Sequence, residues 1–193
     1  VEVIRPGAKV GVLEATLTRL SDDTVVARAR ALRIRTADLD FGLDADDEVP
    51  AFPDHDSDLT AGQPAGEMHV AFHTTAVQHR FARGMFGVAG SAFDWIRLAV
   101  PVVAGEEPTG WQRAAAAADF GNGIGSVVPF DGKTLFINPD LTVHLWREPV
   151  GEWVGMDSRT FVSTTGIGAS DTAMWDLDGR IGRTNQSLLF DRM

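Results

Sequence analysis

One carboxylate and two amides, carried by separate segments, are the groups in this sequence best suited to act on a water molecule. Asp119 follows the run Ala114–Ala118 and precedes Phe120, Gly121, Asn122 and Gly123. Asn138 lies in Phe136-Ile-Asn-Pro-Asp140, and Gln186 in Arg183-Thr-Asn-Gln-Ser-Leu-Leu-Phe190. A carboxylate takes a proton from water, and amides hold that water or polarise a carbonyl. The backbone N–H groups around Gly121, Asn122 and Gly123 are candidate donors to a developing oxyanion, and Trp111 is a candidate pocket wall. Taken singly, each residue has a plainer reading. Asp119 would cap or pair locally, Asn138 would be a turn residue before Pro139, and Gln186 would be a structural strand amide. Only the combination points to catalysis.

Other chemistries fit less well. The chain has no cysteine, which excludes disulfides, thiolate nucleophiles and Cys-ligated metals. No G-x-S-x-G occurs, so a serine-hydrolase elbow is excluded. Gly121-x-Gly123-x-Gly125 resembles a phosphate loop but follows a helix where a dinucleotide loop needs a strand. His69, His73 and His79 share a strand parity without an evident carboxylate partner, so neither a metal nor a cofactor is expected. Asp140 and His144 read as strand residues, and Arg147, Arg159, Arg180 and Arg183 as solvated cations at strand edges.

These residues need elements to position them. Val10–Arg19 alternates apolar and polar, Ser21-Asp22-Asp23 makes a turn, and Val25–Arg35 alternates again. The arginines shift parity between Arg30 and Arg33, which predicts a bulge near Ala31-Leu32. With Val1–Arg5 these form an antiparallel meander. His69–Phe81 reads as a strand, and Phe93–Val103 as a strand with an edge or bulge at Pro101. Glu106-Glu107-Pro108 opens a helix through Ala118, stopped by Gly121 and Gly123. Four further strands are expected at Leu135–Arg147, Trp153–Ser163, Ala169–Asp176 and Ile181–Phe190, with a hairpin turn at Asp178-Gly179. The alanine run demands close wrapping by something large.

The 193 residues carry 17 Lys and Arg against 27 Asp and Glu, a net charge of −10. That balance argues against a nucleic-acid partner, which needs a basic stripe. Much of the acidity falls between Asp38 and Asp58, within a Pro- and Asp-rich stretch at 36–67 that reads as a linker draped over a surface. It separates residues 1–35 from 68–193. No apolar run approaches the length of a membrane span. A cytoplasmic location is expected, and because the chain opens directly in a strand, further natural sequence is expected before Val1.

The phrases Ala-Ala-Asp119-Phe-Gly-Asn-Gly, Phe-Ile-Asn138-Pro-Asp-Leu-Thr-Val-His-Leu-Trp-Arg147, Gly-Glu152-Trp153-Val, Asp178-Gly-Arg-Ile-Gly-Arg and Gln186-Ser-Leu carry a resemblance. The chain resembles the double-hotdog acyl-CoA thioesterases of the type II (TesB-like) group, strongly from about Gln112 onward. The resemblance implies an α+β double hotdog, with a long curved antiparallel sheet wrapped around an Ala-rich central helix. Residues 1–35 would then be the last strands of a partial N-terminal hotdog, 36–67 a linker, and 68–193 the C-terminal hotdog. It also implies hydrolysis of a fatty acyl-CoA by a water held by Asp119, Asn138 and Gln186, and a homodimer or larger oligomer. In that family a Thr or Ser stands where this chain has Asn138. The departure motivates a rival reading, a non-catalytic acyl-CoA or lipid-chain binding protein with a hotdog tunnel. A hotdog hydratase would need a His paired with an acid beside the helix start, and the sequence displays none there.

Overall fold

Residues 1–39, 41, 48–59, 70–128, 130 and 132–193 are described by the computed structural model, so His69 and much of the 36–67 stretch lie outside it. The chain divides into two compact units, Val1–Asp44 and Ala45–Met193. In the first, β1 (Glu2–Arg5), β2 (Val10–Arg19) and β3 (Thr24–Ile34) form an antiparallel meander. The bulge is not at Ala31-Leu32: pairing runs unbroken from Val10↔Ile34 to Leu17↔Ala27, and the register slips between Leu17 and Thr18. Val26 is the extra residue, next to the tight turn, where an unpaired residue disturbs the ladder least.

The second unit holds α1 (Phe72–Thr75), β4 (Val77–Arg83), β5 (Ala92–Leu98), α2 (Gly110–Ala118), α3 (Gly121–Ile124), β6 (Thr134–Ile137), β7 (Thr142–Leu145), β8 (Trp153–Val162), β9 (Ile167–Asp176) and β10 (Gly179–Arg192). Its curled antiparallel sheet has the order β4-β5-β8-β9-β10-β6, with β7 also on β10. One face packs on α2, whose Ala114, Ala117 and Ala118 are at most 1% exposed beneath Ile96, Val154, Met156, Met174 and Ile181. Only a methyl side chain lets a helix backbone approach a sheet this closely, which is what the alanine run encodes. On the opposite face Phe93, Trp95, Trp153 and Trp175 form a second cluster, covered by Val49 and Phe52. The Trp95 indole N–H donates to the Ala51 carbonyl at 2.9 Å.

Several elements differ from the sequence reading: the strand expected over Phe93–Val103 is Ala92–Leu98 and ends before Pro101, and Gly121 and Gly123 lie within α3, while α2 stops at its C-cap Asp119. Within the span expected as a strand over His69–Phe81, Phe72–Thr75 is α1, with Ala76 as its C-cap. The central helix begins two residues past Pro108: Thr109 caps it, accepting from the Gln112 N–H at 3.2 Å while Gln112 Oε1 accepts from the Thr109 N–H at 2.8 Å. The strand expected over Leu135–Arg147 is broken. β6 pairs with Leu189–Arg192 and β7 with Gly182–Asn185, leaving residues 138–141 off the ladder. Pro139 has no N–H to donate there, and Asp140 Oδ1 accepts from the Ser187 N–H at 2.7 Å in place of a ladder bond. That break frees Asn138.

Candidate active site

Asp119 is the C-cap of α2, and α3 starts two residues later, so the carboxylate sits in the elbow between two helices. It is exposed, although flanked by buried Ala118 and Phe120. Gln186 approaches from the middle of β10 with 1% of its surface exposed, and Asn138 from the break between β6 and β7.

The three side chains meet at one atom. Asn138 Nδ2 donates to Asp119 Oδ1 at 2.8 Å, and Gln186 Nε2 donates to the same oxygen at 2.9 Å and to the Asp119 carbonyl at 3.2 Å. Asp119 Oδ2 has no protein partner among the described residues. Asn122, in the first turn of α3, completes a ring: its N–H donates to Gln186 Oε1 at 2.9 Å, and its Nδ2 to Asn138 Oδ1 at 3.2 Å. Two donors on one oxygen fix the orientation of the carboxylate. Its second oxygen is left to accept from water.

Beneath α3 lies a floor of buried hydroxyls. Ser158 Oγ donates to the Gly121 carbonyl at 2.6 Å, so Thr172, 2.6 Å from Ser158 Oγ, is the donor to it. Thr184 Oγ1 donates to the Ala118 carbonyl at 3.4 Å. Ala118 ends α2, where carbonyls lack helical partners and the Thr184 hydroxyl serves one, while the Gly121 carbonyl opens α3 and also accepts from the Gly125 N–H at 3.1 Å. Gly121 is required: a Cβ there would lie 2.6 Å from Thr172 Oγ1 and 3.0 Å from Gln186 Oε1.

Beside Asp119 runs an open groove of about 460 Å³, lined by Phe72, His73, Phe86, Ala116, Phe120 and Gly123. The ring of His73 stacks on Phe86 with centroids 5.0 Å apart, and burial pushes its pKa down, with His79 adding to the effect. Behind this wall is a fully buried pair, His79 Nδ1 and Asp94 Oδ2, 2.5 Å apart. His79 Nε2 donates to the His73 carbonyl at 3.2 Å, and the Arg80 N–H donates to Asp94 Oδ1 at 3.1 Å. Burial raises the Asp94 pKa, with His79 and the Arg80 amide acting against that rise. The pair ties α1 to the sheet. Neither residue lines the groove, so this is not a hydratase pair facing substrate.

Of the residues singled out in the sequence, Asp119, Asn138, Gln186 and Asn122 converge, and Gly123 lines the groove beside them. Gly121 is buried beneath them, against the hydroxyl floor. Trp111 stands eight residues before Asp119, near the far end of α2, and is 43% exposed. Arg147 is committed to a bidentate pair with Asp176 at 2.5 and 2.6 Å, supported by the Val150 N–H. Arg159, Arg180 and Arg183 line a recess on the opposite face of the sheet. The aromatic groove walls and the His79–Asp94 pair escaped the sequence reading. The signal for the pair was an acid inside Ala92-Phe-Asp-Trp-Ile96, which a strand buries only with a partner. Among the described residues no cluster of His, Asp and Glu is arranged to hold a metal ion, and no helix is long and apolar enough to cross a membrane.

Comparison with known proteins agrees with this architecture. A hotdog-fold protein from Alicyclobacillus acidocaldarius superposes with a TM-score of 0.67 at 16% identity, covering 98% of this chain and 70% of its own. The acyl-CoA thioesterase II TesB2 of Mycobacterium marinum gives 0.65 at 14% identity, covering 100% of this chain and 72% of its own. The fold is therefore a hotdog. No curated protein matches the sequence. The family described as the acyl-CoA thioesterase C-terminal domain matches residues 46–190, three quarters of the chain and all of the site, so the chain belongs to the acyl-CoA thioesterases, which are thioester hydrolases.

Proposed function

We propose that this protein hydrolyses a fatty acyl-CoA through a water molecule activated by Asp119. The observation that carries the reading is the convergence of two amide donors on one oxygen of an exposed carboxylate, leaving the other oxygen for water. The acyl chain lies along the groove walled by Phe72, Phe86, Ala116 and Phe120, which places the thioester beside Asp119. Asp119 Oδ2 accepts a proton as the water oxygen bonds to the thioester carbon. The carbonyl oxygen takes the negative charge, facing the Gly123 N–H in the first turn of α3, since the Asn122 N–H is spent on Gln186. When the C–S bond breaks, Asp119 returns the proton to sulfur, and a carboxylic acid and the CoA thiol leave.

Asn138, standing where the family carries a hydroxyl, supplies a donor to Asp119 Oδ1. This favours turnover over the binding-protein reading. Release of free thiol from a panel of acyl-CoAs of increasing chain length tests it. Steady release, with a chain-length optimum set by the groove, supports hydrolysis. Tight binding of the same panel without thiol release establishes the carrier. The protein is further proposed to act as a homodimer or larger oligomer, which light scattering tests.

A further inference from the structure

A primary amide presents a donor at one end and an acceptor at the other, so its rotation by 180° reverses what it offers. Asp119 needs the nitrogen ends of both Asn138 and Gln186. The orientation of each is settled at its far end, and both far ends meet the same residue. The Asn122 N–H is a backbone donor that cannot be reversed, and it faces Gln186 Oε1 at 2.9 Å. This forces Gln186 Nε2 toward Asp119. On the other side Asn122 Nδ2 meets Asn138 Oδ1 at 3.2 Å, so Asn138 has a donor at its oxygen end and the acceptor-only Asp119 carboxylate at its nitrogen end. Reversing either amide would place an oxygen against Asp119 Oδ1 and leave two hydrogen bonds of Asn138, or three of Gln186, unmade.

We propose that Asn122 is a positioning residue that sets the orientation of both amides, and that its side chain is needed because position 138 carries an amide. A hydroxyl rotates freely and donates to Asp119 without a partner to orient it. Asn138 cannot do so, being reversible and only half-buried in a strand break, where its backbone is off the ladder. Asn122 therefore compensates for the departure at 138. The inference rests on Asp119 acting as the base.

The test is a double-mutant cycle read by thiol release from an acyl-CoA. Asn122→Ala keeps the backbone bond to Gln186 and removes the bond to Asn138. It should lower kcat about tenfold with KM unchanged, as the loss of one orienting hydrogen bond does. In the Asn138→Thr background the same Asn122→Ala change should alter kcat less than about twofold. Equal losses in both backgrounds, no loss in the native background, or an inactive Asn138→Thr would each overturn the inference. Asn122→Asp supplies a second readout. The new carboxylate, when ionised, accepts from Asn138 Nδ2 and turns its oxygen toward Asp119; when protonated, it donates to Asn138 Oδ1 as the native amide does. Its kcat should fall as pH rises through the pKa of the new carboxyl, where the native enzyme loses nothing. A native pH profile for Asn122→Asp would contradict the inference. Failure of the base reading is distinguishable, because it appears as full kcat in Asp119→Asn whatever the outcome at 122.

Discussion

Adding one methyl group at Gly121 should separate the roles of the hydroxyl floor and the catalytic ring. A Cβ there would sit 2.6 Å from Thr172 Oγ1, 3.0 Å from Gln186 Oε1 and 3.2 Å from Ser170 Oγ. The first contact is roughly 0.8 Å short of an ordinary 3.4 Å separation. Thr172 has little freedom to withdraw, because its hydroxyl is spent on Ser158, and Ser158 in turn holds the Gly121 carbonyl. The turn of α3 must therefore lift. A lift of about 0.8 Å stretches the 2.9 Å bond from the Asn122 N–H to Gln186 Oε1 beyond hydrogen-bonding range. Overpacking a well-filled site costs about 1–3 kcal/mol, and the helix preference of Ala over Gly returns up to about 1 kcal/mol. Gly121→Ala should thus be destabilised by about 1–2 kcal/mol, lowering Tm by about 2–8 °C for a chain of this size. Its kcat should fall by about 10–100-fold, because Gln186 is freed to reverse. Thermal melting followed by circular dichroism, together with steady-state thiol release, measures both. A folded Gly121→Ala enzyme with native kcat would refute the claim that Gln186 must be held from α3.

Other expectations concern the supports of the site. His79→Ala leaves the buried Asp94 carboxyl without its partner, and removal of one member of a buried pair costs about 3–5 kcal/mol at neutral pH. Burial places the folded pKa of Asp94 above its unfolded value, so its contribution is full below the unfolded value and is lost as pH rises. The defect of His79→Ala should therefore grow as pH rises above the ordinary carboxylate pKa of about 4 in denaturant titrations, and a pH-independent defect would show that Asp94 is not its cause. Asp176 has the opposite sign. Burial pushes its pKa up, but Arg147 and the Val150 and Asp178 N–H groups outweigh burial and hold it below the ordinary value. Its stabilisation is present above the unfolded value near 4 and is lost as pH falls through the lower folded value. Asp176→Asn should cost about 3 kcal/mol at pH 7 and flatten the acid limb of the stability curve.

Legibility in the sequence followed the range of the interactions. The alternation in β8, β9 and β10 and the alanine run of α2 are local patterns, and each marks a buried face directly. Asp119, Asn138 and Gln186 were visible as polar residues in apolar or glycine-rich settings, where solvation alone does not explain them. What the sequence conceals is pairing. Nothing near His79 announces Asp94, because the pair forms across the β4–β5 ladder. The break at 138–141 was hidden by apolar alternation that continues through Leu141, Val143 and Leu145. Asn138-Pro139-Asp140 was the sign, since a proline there cannot donate to β10. Asn122 enters the sequence reading only as a substrate contact through its backbone N–H. Its orienting role exists only once Asn138 and Gln186 stand on either side of it.

The central claim is that Asp119 takes the proton from the attacking water, and Asp119→Asn tests it most directly. The amide is nearly isosteric and leaves the ring of hydrogen bonds its best chance of surviving, so folding and acyl-CoA affinity should be native. Thiol release should fall by about 10²–10⁴-fold, the range a general base supplies. A folded Asp119→Asn protein that binds acyl-CoA and releases thiol at the native rate would contradict the account.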